Sequence, residues 1–347
     1  MTTKTYKSLL FYGPQDVRLE DLPFAPLQAG EVRVRIGAAT TCGTDLKTYR
    51  RGHPLIIKSI PSPFGHEMAG TVSAVADDVA DFNVGDRVVV ANSAPCFNCF
   101  YCQKGKPNLC ENLIFLNGAF AESIVVPAPI VRHNLHRIPP HLSFAAAALS
   151  EPLACVLHAC EHMQIKNAET VAIIGTGPMA FLFVQVIKAR GGKSIVIGRN
   201  PERLKLASTA DATAVINSTT EDVAMRVRDL THGYGADVAI EAVGQPATWQ
   251  QAVSLVRKGG RVCLYGGCAK NTDFNLDTYR VHYDEITVSG IFHHTPTIFR
   301  SAVALLADGK INTQIFLTTE RKLQDLPAIL AGLDSAAPLK FVILPEA

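Results

Sequence analysis

The sequence has one tryptophan in 347 residues, aromatics amount to 7%, and the formal net charge is only +2. A nucleic-acid binder needs a basic face and aromatic platforms, and this chain offers neither, so no nucleic-acid partner is expected. No apolar run reaches the length of a membrane span, and Met1–Leu10 lacks a signal-peptide core. The expected address is therefore the cytoplasm, without a membrane partner. With 48% hydrophobic and 18% charged residues, the chain can bury a core and is not disordered. No internal repeat or low-complexity tract interrupts it.

What is present divides into two parts, as the length of 347 residues suggests. The first third alternates and is punctuated by Pro and Gly. Val32, Val34 and Ile36 share one strand face, and Val84-Gly85-Asp86-Arg87-Val88-Val89-Val90 is a turn entering an apolar strand. An Ala/Leu-rich stretch from Leu142 to Met163 reads as helix. From Thr170 to Gly290, short apolar strands (Val171–Ile174, Ser194–Ile197, Ala214–Ile216, Val238–Ala242, Arg261–Tyr265, Ile286–Val288) alternate with helical stretches such as Met179–Ala189 and Pro201–Ala207. Largely apolar strands of this kind are buried on both faces, as the strands of parallel sheets are. The expected fold class is α/β: a β-rich domain plus a doubly wound parallel sheet. The expected boundaries are 1–149, 150–291 and a return of 292–347 to the first domain.

Nine cysteines are present, and four of them (Cys96, Cys99, Cys102 and Cys110) fall within one short loop. Their spacing, on a Gly/Pro/Asn-rich segment, suits four thiolates around one structural zinc. Two disulfides would need an oxidising compartment. A ferredoxin cluster would need a shorter final gap followed by Cys-Pro, whereas Glu111 follows here.

The first βα turn reads Ile174-Gly175-Thr176-Gly177-Pro178-Met179. Gly175 permits a tight turn, Gly177 lets a pyrophosphate approach the backbone, and a helix from Pro178 and Met179 presents its N–H groups. The second strand ends Gly198-Arg199-Asn200, with Arg203 a turn further. An NAD site usually carries an acid there; Arg199 instead suits a 2′-phosphate, so NADP is favoured over NAD. Val243 and Gly266, at later strand ends, complete the expected cofactor-binding set.

A dispersed set remains: Cys42, His66, Glu67 and Glu151. One thiolate, one imidazole and one or two carboxylates suit a catalytic zinc with an open position. Taken singly, Cys42 reads equally as a buried small hydrophobe, His66 as a loop histidine, and Glu151 as a helix cap.

Gly65-His66-Glu67-Met68-Ala69-Gly70, Cys42-Gly43-Thr44-Asp45, Val84-Gly85-Asp86-Arg87-Val88, Gly118-Ala119-Phe120-Ala121-Glu122, the four-cysteine loop and the Gly-rich turn occur together. In this the chain resembles the zinc-dependent medium-chain dehydrogenase/reductase (alcohol dehydrogenase) family along essentially its whole length. Ser150-Glu151-Pro152-Leu153-Ala154-Cys155 is similar to the polyol (sorbitol) and threonine dehydrogenase branch. The resemblance implies a GroES-like catalytic domain, a Rossmann domain, and assembly as a homotetramer or homodimer. It implies catalytic-zinc ligands at Cys42, His66 and Glu67, with Glu151 as a fourth ligand or holder of the zinc water. Thr44 would take the substrate proton, Asp45 would orient the histidine, and Lys340 would touch the cofactor pyrophosphate. The implied reaction is hydride transfer between a secondary alcohol, activated as an alkoxide on zinc, and NADP or NAD.

Two departures bear on the substrate. Lys47 stands where many relatives carry a relay histidine. Phe292-His293-His294 stands where the polyol branch often has Phe-Arg, making His293 and His294 substrate candidates. Phe115 is a further candidate. Polar candidates favour a polyol, sugar or cyclitol. Phe115 and Phe292 leave open a simple alcohol dehydrogenase or carbonyl reductase, and a non-catalytic dinucleotide-binding protein is the remote alternative.

Overall fold

The structure is a computed structural model that describes residues 4–54, 56–332 and 338–345. The chain forms two compact units: Met1–Ala154 together with His294–Ala347, and Cys155–His293. Residues 333–337, 346 and 347 of the expected C-terminal return lie outside the described residues.

The first unit is built on antiparallel strands. Thr5–Gly13 pairs with Asp16–Pro23. In the larger sheet Val32–Thr40 is central, flanked by Met68–Val75, Ser123–Val126 and Val342–Leu344. Its alternation follows the pleat: Val32, Val34 and Ile36 are buried, while Arg33 and Arg35 face outward. They join a core of Leu9, Phe11, Phe64, Val88, Phe120 and Ile343. Each such side chain contributes roughly 1.5–3 kcal/mol by leaving water.

One pairing positions the site. Val342 lies opposite Thr40, and Thr41 and Phe341 hydrogen-bond each other through Thr41 N–H to Phe341 O (3.0 Å) and Phe341 N–H to Thr41 Oγ1 (2.9 Å). The last strand therefore delivers Lys340 beside the start of the Gly43–Arg51 helix.

The second unit holds six parallel strands: Ala214–Asn217, Lys193–Gly198, Thr170–Ile174, Ala236–Glu241, Val256–Leu264 and Thr287–Gly290, in that spatial order. In chain order this is 3-2-1-4-5-6, the doubly wound arrangement of dinucleotide-binding domains. Its strand order reverses between Thr170–Ile174 and Ala236–Glu241.

Two sequence expectations are corrected here. The helix expected from Leu142 to Met163 is two helices, Phe144–Ala148 and Ser150–His162. Pro152 has no N–H to give the Ala148 carbonyl, and the chain tightens at Leu149 instead, whose N–H goes to Ala146 O. The stretch Phe144–His162 is also long and apolar enough to cross a membrane by length and composition, although 72% of its most apolar window is buried inside the fold.

Candidate active site

Cys42 caps the Gly43–Arg51 helix, and Asp45, in the first turn, closes the cap by accepting from Cys42 N–H (2.8 Å). The other Asp45 oxygen lies 3.1 Å from His66 Nδ1, both groups being buried. One carboxylate thus fixes the thiol's backbone and the imidazole ring together, leaving Nε2 as the ring's other nitrogen. Burial alone would lower the His66 pKa, but Asp45, by charge and hydrogen bond, raises it well above the ordinary value. Ligand atoms of Cys42, His66 and Glu67 lie within 4.8 Å of one another. A soft thiolate, an imidazole and a carboxylate fit zinc.

Glu67 is already engaged. Both of its oxygens accept from Lys340 Nζ (2.7 and 2.6 Å), and Oε2 also accepts from Thr40 Oγ1. Lys340 also donates to Thr41 O at 2.8 Å. Burial would lower the Lys340 pKa, but the Glu67 charge more than offsets this and raises it. The pyrophosphate contact implied by resemblance thus meets a different arrangement: Lys340 is turned into the core as the counter-ion of Glu67.

Glu151 stands in the first turn of Ser150–His162 and is buried. Its Oε1 accepts from Asn92 Nδ2 at 3.0 Å. Burial pushes its carboxyl up to about 7, with His66 opposing and Glu67 adding to the rise. Thr44 is half-buried next to Cys42, its N–H 3.5 Å from the thiol sulfur, and Lys47 is exposed on the same helix. Phe115 is half-buried opposite Ser93. His293 has φ +58° and accepts from His158 Nδ1 through its carbonyl (2.7 Å). His294 is 1% exposed and bonds Asn92 Oδ1 through Nε2 (3.1 Å). Sequence reading missed Asn92, Thr40 and Thr41. Only the polar break after the apolar run Val88-Val89-Val90-Ala91 marks Asn92 in the sequence.

The four loop cysteines bring their sulfurs within 4.8 Å of one another. Backbone N–H groups of Cys96 and Asn112 point at Cys110 Sγ (3.2 and 3.3 Å). The Asn98 N–H leads the effects that hold the Cys96 thiol down to about 6, favouring the thiolate that a metal needs. The donor set fits a closed, structural zinc.

In the second unit, Gly175 lies at the strand-order reversal with φ +127°, where a Cβ would stand 3.3 Å from Val243 Cγ2. Gly177 caps the Pro178–Ala189 helix, with open space where its Cβ would be. The residues therefore fit a pyrophosphate at this helix N-terminus. Gly198 ends the second strand, and the exposed Arg199 follows it with no ion-pair partner among the described residues. Arg203 is half-buried, and burial lowers its pKa. The buried Glu241 staples the neighbouring turn: its Oε1 accepts from Val243 N–H and Gly244 N–H (both 2.9 Å) and from Thr248 Oγ1 (2.7 Å). A Cβ on Gly266 would come 2.7 Å from Glu241 Oε2, so this turn packs only against glycine.

Comparison with known proteins agrees with this geometry. Residues 28–140 match the alcohol dehydrogenase GroES-like domain, and residues 178–308 match the zinc-binding dehydrogenase domain. The chain is 33% identical over 327 residues to the sorbitol dehydrogenase of Bacillus subtilis (92% of this chain, 90% of the relative). It is 31% identical over 350 residues to the erythritol/L-threitol dehydrogenase of Mycolicibacterium smegmatis (95% and 94%). A structure from Sinorhizobium meliloti, assigned as a zinc-binding dehydrogenase and bound to NADP, matches with a TM-score of 0.91 at 27% identity, over 99% of this chain and 100% of that one. The chain belongs to the zinc-dependent medium-chain dehydrogenase/reductase family, in its polyol dehydrogenase branch.

Proposed function

We propose that this zinc-dependent dehydrogenase oxidises a secondary alcohol of a polyol, sugar alcohol or cyclitol, passing hydride to NADP in preference to NAD. The observation that carries the catalytic part is the buried Asp45–His66 contact at 3.1 Å, which ties the imidazole to the helix capped by Cys42.

Cys42 and His66 would hold the catalytic ion. Glu67, whose ligand atoms lie within 4.8 Å of theirs, or Glu151 would complete the set, and the Lys340 ion pair on Glu67 favours Glu151. Zinc, when bound, acts as a Lewis acid that lowers the pKa of an alcohol. Thr44, beside Cys42, takes the alcohol proton at its hydroxyl, and the exposed Lys47 stands on the outer side of that path. The Gly175–Gly177 turn binds the cofactor phosphates, and Arg199 takes the 2′-phosphate. Phe115 and His293 are the proposed substrate contacts. Relatives named for sorbitol and erythritol support a polyhydroxylated substrate. The proposed setting is cytoplasmic, as a homotetramer or homodimer free of nucleic acid and membrane.

The test is a metal count on the purified protein, followed by a panel of polyols and simple alcohols with NADP and NAD. Two zincs per chain with faster turnover of a polyol on NADP is the expected result. One zinc that added metal does not raise, with no turnover of any alcohol, overturns the reading.

A further inference from the structure

His294, Asn92 and Glu151 form a buried chain of side-chain hydrogen bonds. His294 Nε2 lies 3.1 Å from Asn92 Oδ1, and Asn92 Nδ2 lies 3.0 Å from Glu151 Oε1. All three residues are buried and lie within the first unit. Donor and acceptor roles allow one arrangement when Glu151 is ionised. A carboxylate only accepts, so the Asn92 amide nitrogen must face it. The Asn92 oxygen then faces His294, whose Nε2 must carry the hydrogen. Rotating the amide would set its oxygen against the carboxylate and lose that bond in a buried place.

The histidine ring is itself held. Its centroid is 5.2 Å from that of Phe299, in the Pro296–Ala307 helix, and Phe299 stacks on His136 at 5.6 Å. Within the first unit, an aromatic contact thus backs the histidine that faces the Asn92 amide.

We infer that His294 is a positioning residue: it fixes the Asn92 amide, which in turn fixes the plane of the Glu151 carboxylate for the catalytic ion. This replaces the substrate contact expected for His294, and it rests on the reading of Glu151 as part of the metal site. Partners that orient a metal-binding carboxylate typically change metal affinity or activity by about 10–100-fold when removed.

The experiment uses the full-length protein with its structural zinc retained and cobalt(II) in the catalytic site. His294→Phe keeps a ring against Phe299 but removes the N–H. His294→Gln keeps an N–H donor near the Nε2 position. The expected result is a shifted cobalt ligand-field spectrum and about 10–100-fold faster loss of cobalt to a chelator in His294→Phe, with both largely restored in His294→Gln. Structural-zinc content and thermal midpoint report folding. Should His294→Phe not fold, Asn92→Leu, which breaks the same chain at its middle, must give the same spectral shift. An unchanged spectrum and cobalt half-life in the folded variant overturns the inference, as does equal damage in His294→Phe and His294→Gln. A wild-type protein that takes up no second ion would instead overturn the site reading on which the inference rests.

Discussion

Lys340 Nζ lies 2.6 Å from Glu67 Oε2, and both side chains are sealed from solvent, at 1% and 0% exposure. Removing one partner leaves an uncompensated charge in a low-dielectric place, at a cost of about 3–5 kcal/mol. Lys340→Met should therefore lower unfolding stability by that order. The double variant Lys340→Met/Glu67→Gln should recover much of it, because no buried charge remains. Urea unfolding of the three proteins checks this, and a single variant as stable as wild type contradicts it.

The four-cysteine loop should lose its ion as a unit. Cys99 and Cys110 are buried with sulfurs 3.8 Å apart, and Cys96 and Cys102 complete a set in which every thiolate is needed to close the coordination. Cys99→Ser should lower the zinc content by one per chain and depress the thermal midpoint, while cobalt uptake at Cys42 and His66 persists. Metal analysis by mass spectrometry reads the first effect, and calorimetry the second.

Cofactor choice should turn on Arg199. An exposed guanidinium at the tip of the Lys193–Gly198 strand can give charge-assisted hydrogen bonds to a 2′-phosphate, each of about 1.5–3 kcal/mol. Arg199→Ala should lower kcat/KM with NADP tenfold or more and leave NAD within about threefold. Equal losses with both cofactors would place Arg199 outside 2′-phosphate recognition.

Acid should destabilise the first unit through His136. Burial, with the Arg300 charge adding to it, lowers its pKa to about 4. The unfolded chain, with a pKa of about 6.5, binds the proton first as pH falls. Stability from this residue is complete above about pH 6.5 and is lost as pH falls towards about 4, by at most about 3 kcal/mol. His136→Gln should flatten that part of the pH profile of the urea midpoint. An unchanged slope between pH 7 and 5 would refute it.

Local pattern made much of the fold readable. The alternation of Val32, Val34 and Ile36 marks a half-buried strand, and the uniformly apolar Val171–Ile174 marks a strand covered on both faces. The Gly175-Thr176-Gly177-Pro178 turn carries its backbone demands in its own residue types. The helix division at Leu149 was not readable, since Ala and Leu favour helix throughout and only Pro152 dissents.

The sequence by itself determined the chemistry available: a cysteine loop whose spacing defines a metal site, a glycine turn that admits a phosphate, and a cap motif that sets Cys42 and Asp45 on one helical turn. These are local features, decided by residues a few positions apart. Tertiary structure alone decided the partners. Lys340 meets Glu67 across 273 residues because Val342–Leu344 pairs with Val32–Thr40. His294 meets Asn92 across 202 residues, far beyond any local pattern. Such contacts depend on which strands close the sheet, and a buried charge or amide takes whichever partner that closure brings within hydrogen-bond reach.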